Sequence, residues 1–357
     1  GPGEIDWERK FFLQGPRDTL SVCVIANTSE ATLHRPLKSV QKVADQNIVL
    51  DNGPSTDSTV EIAKKYASSV IQGTSPFWCR AHNARHHPSE IAPGVCDMAG
   101  FETPRNESIE GAWGDWIFWI DSDEQLLDSK NVWRYLRENT YLGYAVNQHH
   151  ISVDPPGAIK TDIPVRLFRN NRGIKFFGLV HEHAELGINL GVGDCIVLGD
   201  FHVHHDGYLT ESIRRARFQR NIRLLECDRL KYPDRVLGIY LYDMRDCVQM
   251  ARYERERAGG VMTPLAVDFC QRAASAFREH FLGKDITLAR DGLGYYSDAL
   301  QMLGLGIEVC LDVDVRPQGA QLNGGAQKFR VADQREAGIV AEQILRQKFA
   351  PFSGRYF

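Results

Sequence analysis

Short runs of apolar, β-branched residues alternate with amphipathic stretches along the first part of the chain. The runs Leu20–Ala26, Gln46–Leu50 and Val70–Ile71 have the length and composition of buried strands. Between them, apolar residues recur at helical spacing from Leu33 to Val40, and the cap-forming residues 55–58 begin a second helix. Strands that alternate with helices in this way predict a parallel sheet with crossover helices.

The stretch G-D-W-I-F-W-I-D-S-D-E-Q-L-L, residues 114–127, carries the strongest chemical signal. Trp116–Ile120 predicts a buried strand, which ends abruptly in Asp121, Ser122 and Asp123. Ligands of open α/β sheets collect outside the carboxyl ends of the strands. A hard divalent cation would relieve the repulsion between the carboxylates and bind the oxygens of a diphosphate. The alternative is that the two aspartates only end the strand and cap the next helix.

An acidic residue at the end of a second strand favours the functional interpretation. Asp51 follows the run Gln46–Leu50 and would lie on the same carboxyl edge as Asp121 and Asp123. Its carboxylate can accept hydrogen bonds from a nucleobase or a ribose. The three aspartates together predict a nucleotide pocket.

Several blocks occur in a fixed order along the chain: V-C-V-I-A-N, I-V-L-D-N-G-P-S-T-D-S-T-V-E-I-A-K-K-Y, G-D-W-I-F-W-I-D-S-D-E, V-R-L-F-R-N-N-R-G-I-K-F-F-G-L-V-H-E and H-D-G-Y. In this order they resemble the family 2 glycosyltransferases with the GT-A fold, over about residues 20 to 225. The resemblance implies an inverting transfer of a sugar from a nucleoside diphosphate donor, by default a uridine diphosphate sugar. It also implies manganese or magnesium as the cation.

The expected site residues follow from these blocks. By the family's pattern Asp51 would hold the nucleobase or ribose, while Asp121 and Asp123 would serve the ribose and the metal-bound diphosphate. Arg166 could neutralise a diphosphate or form a surface ion pair. For donor binding we expect Ala26, Asn27, Asp51, Asn83, Asp121, Ser122 and Arg166, and for the metal we expect Asp121, Asp123 and His205.

The stretch V-H-E-H-A-E, residues 180–185, supplies the candidate base. An inverting transfer needs a group that takes the acceptor proton, and a carboxylate can do this. Glu182 is our first choice because it occupies the family's H-E block, with His181 as the second choice or as an orienting residue. If the stretch is a strand, His181 and His183 share one face. We expect His183 and Glu185 to be exposed strand residues.

The stretch F-H-V-H-H-D-G-Y, residues 201–208, supplies the candidate metal-binding histidine. His205 aligns with the family's H-Y-G-Y block and could complete the coordination of the cation beside Asp123. Asp206 stands where the family has an aromatic residue. The H-x-H-H pattern could also be a zinc site, but we rank structural zinc low because no separate local cluster of cysteine or carboxylate ligands accompanies it.

Two departures from the family's pattern precede the D-S-D strand. Many relatives have an Arg-Asn pair there, and His82–Asn83 is our candidate for its replacement. Residues 86–112, rich in Pro and Gly, look like an insertion. A loop of this length is typical of a lid or a binding loop. An acceptor-facing flap and an ordinary surface excursion are equally compatible with it.

The pattern becomes helical after Leu209. Leu209–Leu230, Val236–Gly259 and Pro264–Phe281 predict amphipathic helices, and Tyr295–Val309 predicts another. They resemble degenerate tetratricopeptide-type helix pairs. The predicted fold class is therefore an α/β GT-A (Rossmann-like) domain followed by an α-helical region. The predicted organisation is an N-terminal extension at 1–19, a catalytic domain at 20–208 and a helical region at 209–357.

Composition and charge exclude some other classes of protein. The 357 residues are 43% hydrophobic and 25% charged, which fits a globular protein and excludes a disordered one. A net charge of −4 gives no overall attraction to nucleic acid. The eight cysteines show no C-x-x-C spacing, so we expect free thiols and a cytoplasmic location. No apolar run is long enough to span a membrane.

Two other interpretations remain open at this point. A nucleotidyltransferase would use a similar sheet and acidic pair, and a scaffold protein would rely on the helical region while its catalytic domain had decayed. The H-E and H-D-G-Y blocks favour glycosyl transfer. The expected partners are a nucleoside diphosphate sugar and an acceptor that is a protein, a glycan, a small molecule or a modified nucleic acid. The helical region could also form a homo-oligomer.

Overall fold

The computed structural model describes residues 17–73, 100–137, 141–170, 172–185, 196–284, 288–313 and 325–349. The chain divides into two compact units, and the boundary falls between Arg214 and Arg215. Of the predicted N-terminal extension, only residues 17–19 are described.

The first unit alternates strands and helices in its first half and is mostly β-strand in its second half. Its elements are β1 (Leu20–Ala26), α1 (His34–Val40), β2 (Gln46–Asp51), α2 (Thr59–Tyr66), β3 (Ser69–Gln72), α3 (Glu102–Glu110), β4 (Trp116–Trp119), β5 (Glu124–Leu126), α4 (Ser129–Tyr135), β6 (Gly143–Val153), β7 (Pro156–Asp162), β8 (Val165–Arg169), β9 (Lys175–Phe177), β10 (His183–Glu185) and β11 (Ile196–His205). The three strands and the two helices expected before residue 72 are all present, which confirms that part of the prediction.

A nine-stranded mixed sheet organises this unit. Its order is β3-β2-β1-β4-β8-β6-β11-β5, and β7 pairs with β6. The neighbours β3, β2, β1 and β4 are parallel, as the strand–helix alternation predicted. β8 pairs antiparallel with both β4 and β6. The sheet is therefore parallel on the side where the nucleotide pocket was expected and mixed on the other side.

Alternating residues of the run Trp116–Ile120 belong to two different apolar clusters on the two faces of the sheet. Trp116, Phe118 and Ile120 belong to one cluster, together with Leu33, Leu37 and Val40 of α1. Ile117 and Trp119 belong to the other, which also includes Cys23, Phe168 and Phe176. Because successive side chains of a strand point to opposite faces, a run that is apolar at every position must be covered on both faces. This explains why the W-I-F-W-I run is buried throughout.

The second unit is largely helical, as expected, and it also contains a hairpin that the sequence analysis missed. Its elements are α5 (Glu211–Lys231, which begins just before the boundary), α6 (Val236–Arg257), α7 (Pro264–His280), α8 (Leu288–Met302), α9 (Gln334–Phe349) and the antiparallel strands β12 (Ile307–Val313) and β13 (Gly325–Val331).

The predicted helix Tyr295–Val309 is wrong in its second half. Helix α8 ends at Met302, and β12 begins at Ile307. Gly304 has a φ of 68°, and the backbone N–H of Leu305 donates to the carbonyl of Leu300 at 2.8 Å, which is a glycine-based helix termination. The periodicity of the apolar residues continued past this stop and concealed it.

Two further features concern membrane-spanning helices and the pairing of the cysteines. No helix of the described ranges is long and apolar enough to cross a membrane. The cysteines within the described ranges form no disulfide.

Candidate functional site

The parallel strands bring three loop segments to one edge of the sheet. β1 ends at Ala26, and the pairing register places this residue beside Asp51 at the end of β2. β4 runs parallel to β1 on the other side, with Trp119 beside Cys23. The segment Asp121–Asp123, which follows β4, therefore lies at the same edge as Ala26 and Asp51. The strand ends named by the sequence analysis are brought together.

Asp51 is buried and is held by the loop that follows β2. Its Oδ1 accepts a hydrogen bond from the Ser55 hydroxyl at 2.6 Å, and its Oδ2 accepts one from the Ser55 backbone N–H at 3.2 Å. The hydroxyl of Ser55 accepts from the backbone N–H of Thr28 at 2.9 Å, and Asn27 donates to the carbonyl of Gly53 at 3.1 Å. The loops after β1 and β2 are thus hydrogen-bonded to each other beside the expected nucleobase pocket.

Glu124, to which the sequence analysis gave no role, organises the D-S-D turn. Its Oε2 accepts from the backbone N–H of Asp121 at 2.7 Å. Its Oε1 accepts from Gln148 at 2.5 Å and from Arg166 at 2.7 Å. Burial raises the pKa of the Glu124 carboxyl above its ordinary value, against the opposing charge of Arg166. The signal in the sequence was an acidic residue three positions after the first aspartate.

A group of possible metal ligands lies beside this turn. Ligand atoms of Asp121, Glu124 and His205 all lie within 4.8 Å of one another. Nε2 of His205 also lies 3.4 Å from Oδ1 of Asp123. Carboxylate oxygens with one imidazole nitrogen form a donor set that fits a divalent cation. Ser122, between the two aspartates, lies within hydrogen-bond distance of Ser29 in the loop after β1, with 3.2 Å between the hydroxyl oxygens.

Two buried arginines balance the carboxylates. Arg105 donates to Asp121 at 2.6 Å and to Glu182 at 2.5 Å, while Arg166 lies 3.7 Å from Asp121. Both guanidinium groups lie over the ring of Trp119, at 3.9 and 3.6 Å from its centroid. Burial alone would raise the pKa of Asp121, but the two arginines outweigh it and lower the pKa to about 2. Asp121 is therefore ionised at neutral pH.

Arg166 is nearly fully buried and engaged inside the protein. Besides Glu124 it donates to the carbonyl of Trp119 at 3.4 Å. The structure thus gives Arg166 internal partners rather than the surface ion pair that was its alternative. Its expected contact with a diphosphate stays a prediction.

The candidate base Glu182 does not lie on a strand. β10 begins only at His183, and His181 has a φ of 50°, in the left-handed region. Strand alternation was therefore the wrong basis for relating His181 to His183. The side chain of Glu182 is 9% exposed and is paired with Arg105. His183 is exposed, as expected, and the side chain of Glu185 lies outside the described residues.

Residues 100–112 of the presumed insertion belong to the core instead of forming an acceptor-facing flap or a surface excursion. Helix α3 packs here, and Asn106 exchanges two hydrogen bonds with the backbone of Phe176, at 2.9 and 2.8 Å. Glu102 accepts from the backbone N–H of Gly178 at 2.6 Å. These bonds fix the segment that leads to the candidate base. Residues 86–99 lie outside the described residues.

An Arg-Asn pair does precede the D-S-D strand. It is Arg105–Asn106 on α3, followed after a short connection by β4. His82 and Asn83 lie outside the described residues, so the expectation that they replace the pair stays a prediction. The role of Asn83 in donor binding likewise stays a prediction. The apparent length of the insertion hid the pair.

The histidines of β11 divide between the two faces of the sheet. His205 is buried on the face that carries Glu124. His202 and His204 alternate with it and lie on the opposite face, where Nδ1 of His202 is 2.9 Å from Nε2 of His149. Only His205 of the H-x-H-H pattern therefore belongs to the acidic cluster.

Comparison with known proteins identifies the class of the first unit. Residues 21–191 match the model of glycosyl transferase family 2. This part of the chain is therefore similar to the family 2 glycosyltransferases, which confirms the resemblance recognised in the sequence. The expected fold class, a GT-A domain followed by a helical region, is also confirmed by this match and by the observed order of strands and helices.

The relatives include glycosyltransferases and a repeat protein. The chain is 29% identical over 176 residues to a TPR repeat-containing protein of Synechococcus elongatus, covering 48% of this chain and 36% of the relative. It is 27% identical over 213 residues to the SPbeta prophage-derived glycosyltransferase SunS of Bacillus subtilis, covering 58% and 44%. The chain thus spans less than half the length of these curated relatives.

Solved structures of similar proteins include two with bound nucleotide. S. aureus TarS 1–349 in complex with UDP-GlcNAc has a TM-score of 0.40 and 16% identity, and the match covers 88% of this chain and all of that chain (100%). Glucosyl-3-phosphoglycerate synthase from Mycobacterium tuberculosis, with Mn2+, UDP and glucosyl-3-phosphoglycerate, has a TM-score of 0.27 and 24% identity, and the match covers 42% and 50%.

Proposed function

We propose that this protein is a metal-dependent inverting glycosyltransferase that takes a sugar from a uridine diphosphate sugar. The observation that carries the proposal is that ligand atoms of Asp121 and His205 lie within 4.8 Å of each other at the carboxyl edge of the sheet, with Oδ1 of Asp123 3.4 Å from Nε2 of His205. These residues lie at the same edge of the sheet as the buried Asp51, within the segment that matches glycosyl transferase family 2.

The residues of the acidic cluster have separate tasks in this proposal. Asp121, Asp123 and His205 hold the cation. Glu124 already accepts three hydrogen bonds, so it orients the turn rather than binding the metal. Manganese or magnesium, when bound by these residues, would supply Lewis acidity to neutralise the departing diphosphate. Asp51, fixed by two hydrogen bonds from one serine, accepts from the nucleobase or the ribose.

Glu182 takes the proton of the attacking acceptor hydroxyl. Its Oε1 accepts a hydrogen bond from Nε of Arg105 at 2.5 Å, and a carboxylate can act as a general base. The pair also fixes the carboxylate in position relative to Asp121, because the same guanidinium binds both residues. His181, in its left-handed conformation, directs the chain from β9 toward Glu182 and is the second candidate.

The first experiment is a calorimetric titration with a panel of nucleoside diphosphates, with and without Mn2+. We expect UDP to bind only when Mn2+ is present. Asp123→Ala should abolish this binding, whereas the control Asp200→Ala, which removes an exposed carboxylate on β11, should leave it unchanged. Full manganese-dependent binding by Asp123→Ala would refute the metal site. Absence of nucleotide binding by the native protein would favour the scaffold interpretation.

A second experiment tests the reaction. Slow transfer to water should release UDP from UDP-glucose, UDP-galactose or UDP-N-acetylglucosamine, and Glu182→Gln should keep UDP affinity while this release is lost. Loss of one general base costs about 100- to 10,000-fold in rate. Release of pyrophosphate from a nucleoside triphosphate would instead identify a nucleotidyltransferase.

A further inference from the structure

A chain of hydrogen-bonding groups runs from the candidate metal ligand His205 toward the protein surface. His150 on β6 is the register partner of His205 on β11, and their Nδ1 atoms lie 2.7 Å apart. Nε2 of His150 lies 2.8 Å from Oδ2 of Asp162 on β7. Both histidines are buried, and the ring of Tyr208 packs edge-on against each of them. These hydrogen-bonded groups are therefore held in a fixed geometry.

Asp162 determines the direction of the hydrogen bonds. Burial would raise the pKa of its carboxyl, but hydrogen bonds from His150 and from Lys160, whose Nζ lies 2.8 Å away, outweigh burial and hold the pKa well below its usual range. An ionised carboxylate can only accept hydrogen bonds. Nε2 of His150 must therefore carry the proton that is shared with Asp162.

The directions of the remaining hydrogen bonds follow from the chemistry of imidazole. Neutral imidazole has one N–H and one acceptor nitrogen, so Nδ1 of His150 accepts. The two Nδ1 atoms lie 2.7 Å apart, so one of them must donate a hydrogen bond to the other. Nδ1 of His205 is then the donor in the contact between the two rings. In neutral His205 the lone pair is consequently on Nε2.

This lone pair lies on the side of the acidic cluster. Nε2 of His205 is 3.4 Å from Oδ1 of Asp123. Two electron-rich atoms at this distance repel each other, and a metal ion coordinated by both would remove the repulsion. A metal-binding histidine whose other nitrogen donates to a fixed acceptor is a common arrangement around metal ions.

We propose that Asp162 and His150 are positioning residues that fix the tautomer of His205, so that its Nε2 is presented to the divalent cation. The inference rests on the proposed function, since it assumes that the cluster binds a metal. It adds two residues on β6 and β7 to the site, neither of which contacts the cation.

The test is the variant Asp162→Asn. An amide can donate, and an amide N–H directed at His150 would reverse the chain and place the proton of His205 on Nε2. We expect Mn2+ affinity to fall roughly 10- to 100-fold, the usual cost of losing such a partner. The decrease of the free Mn2+ signal in electron paramagnetic resonance measures the affinity. Asp200→Asn makes the same change of charge on β11 and should bind Mn2+ like the native protein.

A second measurement reads the tautomer directly. The 15N chemical shifts of the His205 ring, well above the ordinary pKa of histidine, should show the proton on Nδ1 in the metal-free and Mg2+-bound native protein. In Asp162→Asn the proton should move to Nε2, which a purely structural role would not cause. A native Nε2–H tautomer, or native Mn2+ affinity in Asp162→Asn, would overturn the proposal. If the native protein binds neither Mn2+ nor Mg2+, the proposed function fails, whereas the metal-free spectrum still reports the hydrogen-bond chain.

Discussion

Arg105 is the residue whose replacement most directly tests the charge balance of the site. It is 5% exposed and binds both Asp121 and Glu182. Arg105→Met keeps most of the side-chain length and removes the charge, which leaves two carboxylates without their shared partner. Breaking a buried ion pair in this way costs about 3–5 kcal/mol. We expect the lower end, about 3 kcal/mol, because the side chain of Asp121 is 26% exposed.

The cost should depend on pH with a definite sign. The arginines hold the pKa of Asp121 at about 2, below the ordinary 3.8. This difference corresponds to roughly 2 kcal/mol of stabilisation, which is fully present above pH 3.8 and is lost as the pH falls toward 2. The loss in the free energy of unfolding caused by Arg105→Met should therefore be largest at neutral pH and become smaller below about pH 4. Added Mn2+ should stabilise the variant more than the native protein, because the cation restores positive charge beside Asp121.

Urea unfolding followed by tryptophan fluorescence is the appropriate assay. All six tryptophans lie within the first 133 residues, so the signal reports the unit that contains the site. Arg134→Met is the matched control, since Arg134 is 56% exposed in its pair with Asp200 and should cost less than about 1 kcal/mol. A deficit for Arg105→Met that does not change with pH would refute the electrostatic reasoning. It would show that the side chain acts through packing on Trp119.

Two further substitutions test the fold around the site and in the second unit. Gly100→Ala should destabilise by more than about 3 kcal/mol, because its φ is 53° and a Cβ would lie 2.5 Å from the backbone of Leu179. Gly173→Ala, with a φ of 69° and open space, should cost only about 1–2 kcal/mol, and equal shifts in thermal unfolding would contradict the steric argument. Arg272→Met should cost about 3 kcal/mol in unfolding followed by far-ultraviolet circular dichroism, since Arg272 binds Asp243, which is 1% exposed. The control is Arg257→Met: the side chain of Arg257 is 58% exposed in its ion pair with Glu254, so its loss should cost under about 0.5 kcal/mol. Similar effects of the two variants would be evidence against a contribution of the buried pair.

The parallel half of the sheet could be predicted because its strands are short apolar runs bounded by turn residues. The run at Trp116–Ile120 is apolar at every position, and this pattern requires cover on both faces of the sheet. The edge at which Asp51 and Asp121 meet then follows from the common direction of parallel strands. Local patterns were sufficient here, since each strand carries its own signal.

The contacts that complete the site could not be predicted because they join distant segments. Arg105 reaches Glu182 across 77 positions and Arg166 reaches Glu124 across 42. No periodic pattern specifies such pairs. His150 and Asp162 are only 12 positions apart, but their meeting depends on the register of β6 and β7, which shifts between His150 and Ile151. A register shift of this kind has no signature in the alternation of polar and apolar residues.

The candidate base and a candidate metal ligand are both bound by one guanidinium. Arg105 binds Asp121, a candidate metal ligand, and Glu182, the candidate base, at similar distances of 2.6 and 2.5 Å. A cation that coordinates Asp121 competes with Arg105 for the negative charge of this carboxylate. The interaction of Arg105 with Glu182 should then strengthen relative to that with Asp121. Binding of the metal and donor would thus fix the candidate base more firmly before the acceptor arrives.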